Sequence, residues 1–416
     1  MSGPLEGLKV LDISNVIAGP FAAALLGDFG ADVLKVELPV GKDGKGGDAL
    51  RALPPHKDGK PLLWKAVNRN KRAVTLDLRK PAGQALFKRL LPKFDVLVEN
   101  YRPGTLDRWG LDKAALWKLQ PKLVILRVTG FGQTGPYSGF AGFARLFEAY
   151  AGLTYITRAP GDPPMHPGYP IGDPIGGVFG AFGVLAALLH RAKHPEAPGQ
   201  EIDLACTEAV MRLLEVLPIE YDQLRQRHEP IGNGNAYVSP GGVFRAGDGE
   251  WVSFTAATQS VFERFCRLIG REELIADPRY ASNPLRMKHA DELNAIVAGW
   301  IGARPYREAI RELSEAGVSV APIYSNRDIL EDPHFRARES ITRVTDEDFG
   351  SVAVPCVVPR LSATPGAARS AGPGQGAHNA EVYGDWLGLS AAEEAALRRD
   401  GVIQEAPEGR FACSAA

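Results

Sequence analysis

Four cysteines in 416 residues, Cys206, Cys266, Cys356 and Cys413, are too few and too scattered for a disulfide framework, and no CxxC pair marks a metal site. They read as buried or incidental thiols. Eight histidines form no HExxH; His190 and His194 lie four apart near the end of a helical stretch, where the helix dipole favours them, without a carboxylate between them at zinc-protease spacing. No metal is expected. Charge of either sign is not in excess: 48 Lys+Arg against 49 Asp+Glu leave a net charge of −1, which gives no chain-wide attraction to nucleic acid or an anionic membrane. An anionic ligand must therefore be met locally. No apolar run is expected to reach the length of a bilayer span, and the opening "MSGPLEGLKVLDIS" has no basic region followed by an apolar segment, so a cytoplasmic protein is expected.

What is present is the composition of a globular chain, 45% apolar and 23% charged, with 46 Gly and 32 Pro supplying turns. The length predicts two units or one with an insertion. "LKVLDIS" (8–14), a helix over "AGPFAAALLGDFGA" and "DVLKVEL" form a βαβ unit, and the alternation continues through "RAVTLDL", "PAGQALFKRLLPKF", "DVLVENY" and "LVILRVTGFG". Such alternation predicts an α/β fold with a parallel, Rossmann-like sheet. The turn after the first strand, "NVIAGP", lacks GxGxxG, which disfavours NAD or FAD.

The boundaries predicted are a large domain over 1–200, a linker helix over 201–228 in which "EIDLA" reads as a strand ahead of the long helix "CTEAVMRLLEVLPIEYDQLRQR", a small α+β domain over 229–315, and a return to the large domain over 316–416. "VSVAPIYS" is expected as the returning strand.

The stretch "YPIGDPIGGVFGAFG" (169–183) reads as a helix start, with Asp173 as N-cap and Pro174 in the first helical position. Each internal glycine costs about 1 kcal/mol relative to alanine, so Gly176, Gly177, Gly180 and Gly183 call for an offsetting reason. Close approach of a backbone or a flat ligand is one. Asp173 is on local pattern a cap; alternatively, the positive end of the dipole keeps it ionised as a nucleophile or base.

Several segments together resemble the family III CoA-transferases, a group with formyl-CoA:oxalate and carnitine CoA-transferases and the α-methylacyl-CoA racemases. They are "LKVLDISNVIAGPFAAALLGDFGADVLKVE" (8–37), "NRNKRAVTLDLRKPAG" (68–83), "VENYRPGTLDRWGL" (98–111), "TGFGQTGPYSG" (129–139), "IGDPIGGVFGAFGVLAALLHR" (171–191) and "GQGAHNAEVYGDWLGLS". The resemblance implies an interlocked homodimer whose large domain is built from both ends of the chain. It also implies a catalytic Asp173 that exchanges CoA between a donor acyl-CoA and an acceptor carboxylic acid through mixed anhydrides and an aspartyl-CoA thioester, with CoA as substrate and no permanently bound cofactor.

By the same resemblance Val16, Ile17, Ala18, Leu76, Arg79, Asn100, Tyr101 and Arg108 contact CoA, while Lys71 and Arg72 are structural. Phe143, Arg145, Gly241 and Gly242 are expected near the acid substrate, and Arg145 with His166 would suit a second carboxylate, as in succinate. The chain departs from the formyl-CoA transferases at Ile17 (their glutamine), Leu38 (arginine), Ala141 (lysine) and Ala144 (glutamate), which argues against oxalate or formate. The racemase branch places a histidine where Phe143 stands here, and no histidine lies within twenty residues. A silent acyl-CoA binder is the remaining alternative.

Overall fold

The computed structural model describes residues 3–41 and 44–404; Cys413 lies outside them. Six strands, β1 (Lys9–Asp12), β2 (Asp32–Glu37), β3 (Lys71–Thr75), β4 (Val96–Glu99), β5 (Val124–Thr129) and β6 (Glu201–Ala205), form one sheet. All five pairings are parallel and the order is 3-2-1-4-5-6, that of doubly wound sheets.

The period-2 alternation of side chains divides each strand between two cores. Val10, Val33, Val96, Val124 and Leu126 face one side, against α1 (Ala18–Asp28), α3 (Ala144–Tyr150), α4 (Gly172–Lys193) and α5 (Cys206–Arg212). Leu11, Leu34, Val74, Leu97 and Ile125 face the other, against α2 (Pro81–Leu90) and residues 382–403. Burial on both faces explains why the strands read as continuous apolar runs.

Residues 378–404 close the β3 edge. Asn379 Oδ1 accepts the Thr75 N–H at 2.9 Å, its Nδ2 donates to Thr75 Oγ1 at 3.0 Å, the Tyr383 hydroxyl donates to the Thr75 carbonyl at 2.7 Å, and the Gln404 N–H donates to Thr75 Oγ1 at 2.8 Å.

The chain divides into two units: one takes the described residues of 1–153, 166–218 and 338–416, the other 154–165 and 219–337. The second unit has an antiparallel sheet of β7 (Gly241–Arg245), β8 (Trp251–Thr255) and β9 (Ser319–Pro322), in the order 9-8-7. Helices over Gln259–Leu268, Ala290–Gly302 and Tyr306–Glu315 surround a core of Phe244, Phe254, Phe262, Phe265, Val297 and Leu313.

Three expectations are corrected here. β9, expected to return to the large domain, pairs with β8 from Val252↔Pro322 to Thr255↔Ser319, and Val318 and Val320 pack into the small core; the return falls at 338, through the hairpin of β10 (Ile341–Asp346) and β11 (Gly350–Pro355). The stretch 201–228 is not one linker helix. It opens with edge strand β6, and the long helix breaks after Arg212, where Leu213 and Leu214 donate to carbonyls three residues back, and resumes as α6 (Val216–Leu224) with Pro218 in its first turn. Finally, α4, 22 residues with a mean hydropathy of 1.6 over its most apolar window, is long and apolar enough for a membrane span by length and composition. Its only charge before the last turn is Asp173.

Candidate active site

In an open parallel sheet the loops diverge where the strand order reverses, and a crevice opens at the carboxyl ends of the strands. Here that point lies between β1 and β4. The chain leaves β1 through Ser14, Asn15 and Val16 and leaves β4 through Asn100 and Tyr101. The two exits are tied reciprocally: Asn100 Oδ1 accepts the Asn15 N–H and Nδ2 donates to the Asn15 carbonyl, both at 2.7 Å.

Val16 has φ of 67°, a left-handed conformation that costs a β-branched residue about 1–2 kcal/mol. Asp48 holds it there by accepting the Val16 N–H at 2.9 Å. Asp48 is anchored in turn by the fully buried Lys35 ammonium at 3.0 Å, which also donates to the Ser14 carbonyl. Where a dinucleotide fold spends a glycine, this chain spends a buried ion pair, and the strained turn presents Val16, Ile17 and Ala18 to the crevice.

The cavity at this point, about 250 Å³, is bounded by that turn, by Asn100 and Tyr101, by the end of β5 (Val128, Thr129, Gly130), by Phe140 to Phe143, and by Asp173 and Cys206. Asp173 sits in the first turn of α4, not at its cap. The helix starts two residues earlier than expected, with Ile171 at the N-cap and no side-chain cap. The carboxyl is 8% exposed. Nor does the dipole keep it strongly ionised: burial first, then the charge of Glu148, push it up to about 7. A carboxylate so poised is poorly solvated and accordingly reactive. Cys206 beside it is held as a neutral thiol, raised by burial and then by Asp173.

The glycines of α4 answer to packing inside the chain. A Cβ at Gly176 would lie 2.6 Å from Cys206 Sγ; at Gly177, 2.8 Å from the Phe21 ring and 2.9 Å from the Ala18 carbonyl oxygen; at Gly180, 3.0 Å from Leu126; at Gly183, 3.2 Å from Ile202. The approaching partners are α1, α5 and the sheet. These contacts seat the helix start, and with it Asp173, against the turn carrying Val16 to Ala18.

Of the residues singled out in the sequence, Val16, Ile17, Ala18, Asn100, Tyr101, Phe143 and Asp173 come together around the cavity, Phe143 65% exposed at its rim. Leu76 is in the core, away from the Asp173 cavity, its N–H donating to the Glu37 carbonyl. Arg79 faces a separate cavity of about 670 Å³ shared with Lys80, Arg398 and Arg399, and is held by Asp77 at 2.8 Å and 2.9 Å. Arg108 is exposed and donates to Thr105 Oγ1 at 2.9 Å.

Arg145 does not border the Asp173 cavity; it donates to the Pro167 carbonyl and lies 3.8 Å from Glu148. Gly241 and Gly242 belong to β7 of the second unit, paired with Thr255 and Phe254. The sequence reading missed Asp48 and Glu148, and took Cys206 as a buried thiol, which it is, without placing it beside Asp173. A lone acid within the apolar "ARLFEAY" was the available signal for the last.

A strand-order switch point with a buried carboxylate at its base and a left-handed turn at its mouth is where an open α/β sheet takes its ligand. Comparison with known proteins supplies the family: residues 5–379 match CoA-transferase family III, and the chain belongs to it. It is a CoA-transferase, acting on CoA thioesters and carboxylic acids. A succinyl-CoA–D-citramalate CoA-transferase of Chloroflexus aurantiacus is 41% identical over 96% of this chain and 98% of its own. The alpha subunit of a succinyl-CoA–L-malate CoA-transferase of the same organism is 40% identical over 96% and 92%. Among solved structures, a CaiB/BaiF family protein from Brucella suis superposes with a TM-score of 0.81 at 29% identity, covering 92% of this chain and all of that one.

Proposed function

We propose that this enzyme transfers CoA between dicarboxylic acids, with a succinyl-CoA-type thioester as donor, through covalent intermediates on Asp173. The observation that carries the reading is the buried carboxyl of Asp173, raised to about 7, at the base of the cavity. An Asp173 oxygen attacks the donor thioester carbon; the C–S bond breaks and its electron pair leaves on the CoA sulphur, giving a mixed anhydride. The thiolate then attacks the Asp173 carbonyl, the donor acid leaves as its carboxylate, and an aspartyl-CoA thioester remains. The acceptor carboxylate repeats the sequence in reverse.

Backbone N–H groups of the α4 start and of the Val16–Ala18 turn are suited to meet the charge that each tetrahedral stage carries. We assign CoA contacts to Val16, Ile17 and Ala18, Asn100 and Tyr101, and its phosphates to the cations Arg79 and Arg108. Dicarboxylates are favoured by the acids named in the two Chloroflexus relatives. An interlocked homodimer with a Rossmann-like large domain fits the division of the first unit over three segments and the exposed apolar stripe Val178, Phe182, Leu185 and Leu189 on α4. A racemase lacks its second base, since Phe143 stands at the rim and no histidine lines the cavity.

Incubation with succinyl-CoA and a panel of acids (malate, citramalate, glutarate, oxalate), then trapping with hydroxylamine or borohydride and peptide mapping, tests the proposal. Modification at Asp173 with transfer to hydroxy- or methyl-substituted dicarboxylates is expected. Transfer with Asp173 unmodified refutes the mechanism; proton exchange at the α-carbon without transfer supports the racemase.

A further inference from the structure

Behind Asp173 lies a second carboxylate that the steps above leave without a role. Glu148, on α3, is fully buried, and its Oε1 accepts the N–H of Gly172, the residue before Asp173, at 3.1 Å. Gly172 permits the approach: a Cβ there would lie 2.8 Å from the Ala144 carbonyl oxygen on the same helix as Glu148. Because Ile171 offers α4 no side-chain cap, Glu148 supplies from another helix an acceptor that the first turn lacks. A hydroxyl or amide would serve that purpose as well. Here a full charge is used, and it is only loosely compensated: the buried Oε2 accepts no hydrogen bond, with His166 Nδ1 at 3.4 Å and Arg145 Nη1 at 3.8 Å. The titratable groups facing Asp173 include Glu148 from α3, the Cys206 thiol opening α5 and the Tyr169 phenol ahead of α4, and Tyr101 and Arg102, after β4, line the same cavity. The other helix packed there, α1, presents Ala18, Phe21 and Ala22.

We propose that Glu148 is a positioning residue for the transfer, whose carboxylate beside the first turn of α4 disfavours the free Asp173 carboxylate relative to its uncharged acyl forms. The inference rests on the aspartyl mechanism above. When Asp173 oxygen bonds to the thioester carbon, the negative charge leaves with the CoA sulphur and repulsion from Glu148 is relieved; the aspartyl-CoA thioester, also uncharged, keeps that relief. Arg145 and His166, beside Glu148 Oε2, set how much of its charge Asp173 experiences.

Glu148→Gln keeps the size and the acceptor for the Gly172 N–H while removing the charge. In kcat/KM against pH, the acid limb is expected to move down by about one pH unit, with kcat lowered roughly 3- to 10-fold, less covalent adduct by intact mass, and an unchanged KM for the thioester. Arg145→Gln, which removes a countercharge, moves the limb up. An unmoved limb in both variants, with wild type trapping normally at Asp173, overturns the inference and leaves Glu148 as a cap. Absence of any wild-type adduct overturns the parent mechanism instead. Should the glutamine variant fail to fold, Arg145→Gln decides alone, a limb at or below its wild-type position refuting the proposal.

Discussion

Asp173, the proposed nucleophile, is poorly accommodated as an anion, and that has measurable signs. Its folded pKa, about 7, lies above the ordinary 3.8. Stability linked to this group is therefore fully present below about pH 4 and lost as pH rises through 7. Asp173→Asn should abolish transfer yet melt higher than wild type at pH 8, by up to about 4 kcal/mol at 1.36 kcal/mol per pH unit, the difference vanishing below pH 4; calorimetry across that range checks it. Activity needs the anion, so kcat/KM should rise with pH through about 7, a limb absent if another group is the nucleophile. At the cavity mouth, Asp48→Ala removes the acceptor of the Val16 N–H and takes the paired carboxylate from the buried Lys35 ammonium, leaving it Asp12, Glu37 and the Ser14 carbonyl. A loss of about 3–5 kcal/mol is expected in denaturant titration, and milder Asp48→Asn should raise KM for the thioester more than it lowers kcat. That Asp173 opens a small-residue helix was legible in the sequence because the GDP segment is local, although the cap role read from that pattern does not hold. Asp48 was not, since its role depends on Lys35 and Val16, brought to it by the sheet rather than by spacing.

At the scale of the element, α4 is a helix whose glycines are filled by neighbours. Alanine normally stabilises a helix over glycine by about 1 kcal/mol, but a Gly177 Cβ would meet the Ala18 carbonyl and Ala22 nitrogen, backbone atoms of α1 that cannot rotate away. Gly177→Ala should thus destabilise by roughly 1–3 kcal/mol. Gly176→Ala meets the sulphur of Cys206, so Cys206→Ala should relieve much of its penalty, and a double-mutant cycle by thermal melts would show the coupling. Additive effects would mean that the glycine serves a ligand. The strands followed from apolar runs alternating with helices, hence the legibility of β1 to β6 as a parallel sheet; their order came only with the structure. The helix break after Arg212 was not legible, because "CTEAVMRLLEVLPIEYDQL" keeps helical composition throughout and only Pro218 marks where hydrogen bonding resets. β9 misled for a related reason: a short apolar strand carries no address, and its pairing with β8 is decided by the small core that Val318 and Val320 enter.

On the scale of the whole molecule, the apolar stripe of α4 bears on assembly. Val178, Phe182, Leu185 and Leu189 are 40–68% exposed on the isolated chain, and a second copy is the occupant that the proposed homodimer supplies. Phe182→Asp should yield monomer or aggregate in analytical ultracentrifugation, whereas wild type should sediment as a dimer that dilution into the nanomolar range does not dissociate.

The Thr75 clamp has a consequence for how the protein is made. Its nearest partner, Asn379, is 304 residues away, and ribosomes extend chains at about 5–20 residues per second. The β3 edge therefore waits roughly 15 to 60 s after synthesis before its own chain can close it. During that interval the sheet edge is open to a neighbouring nascent chain on the same messenger. If two copies are to be linked, that waiting edge is when the thread can pass, and the Asn379–Tyr383–Gln404 clamp is the knot tied afterwards.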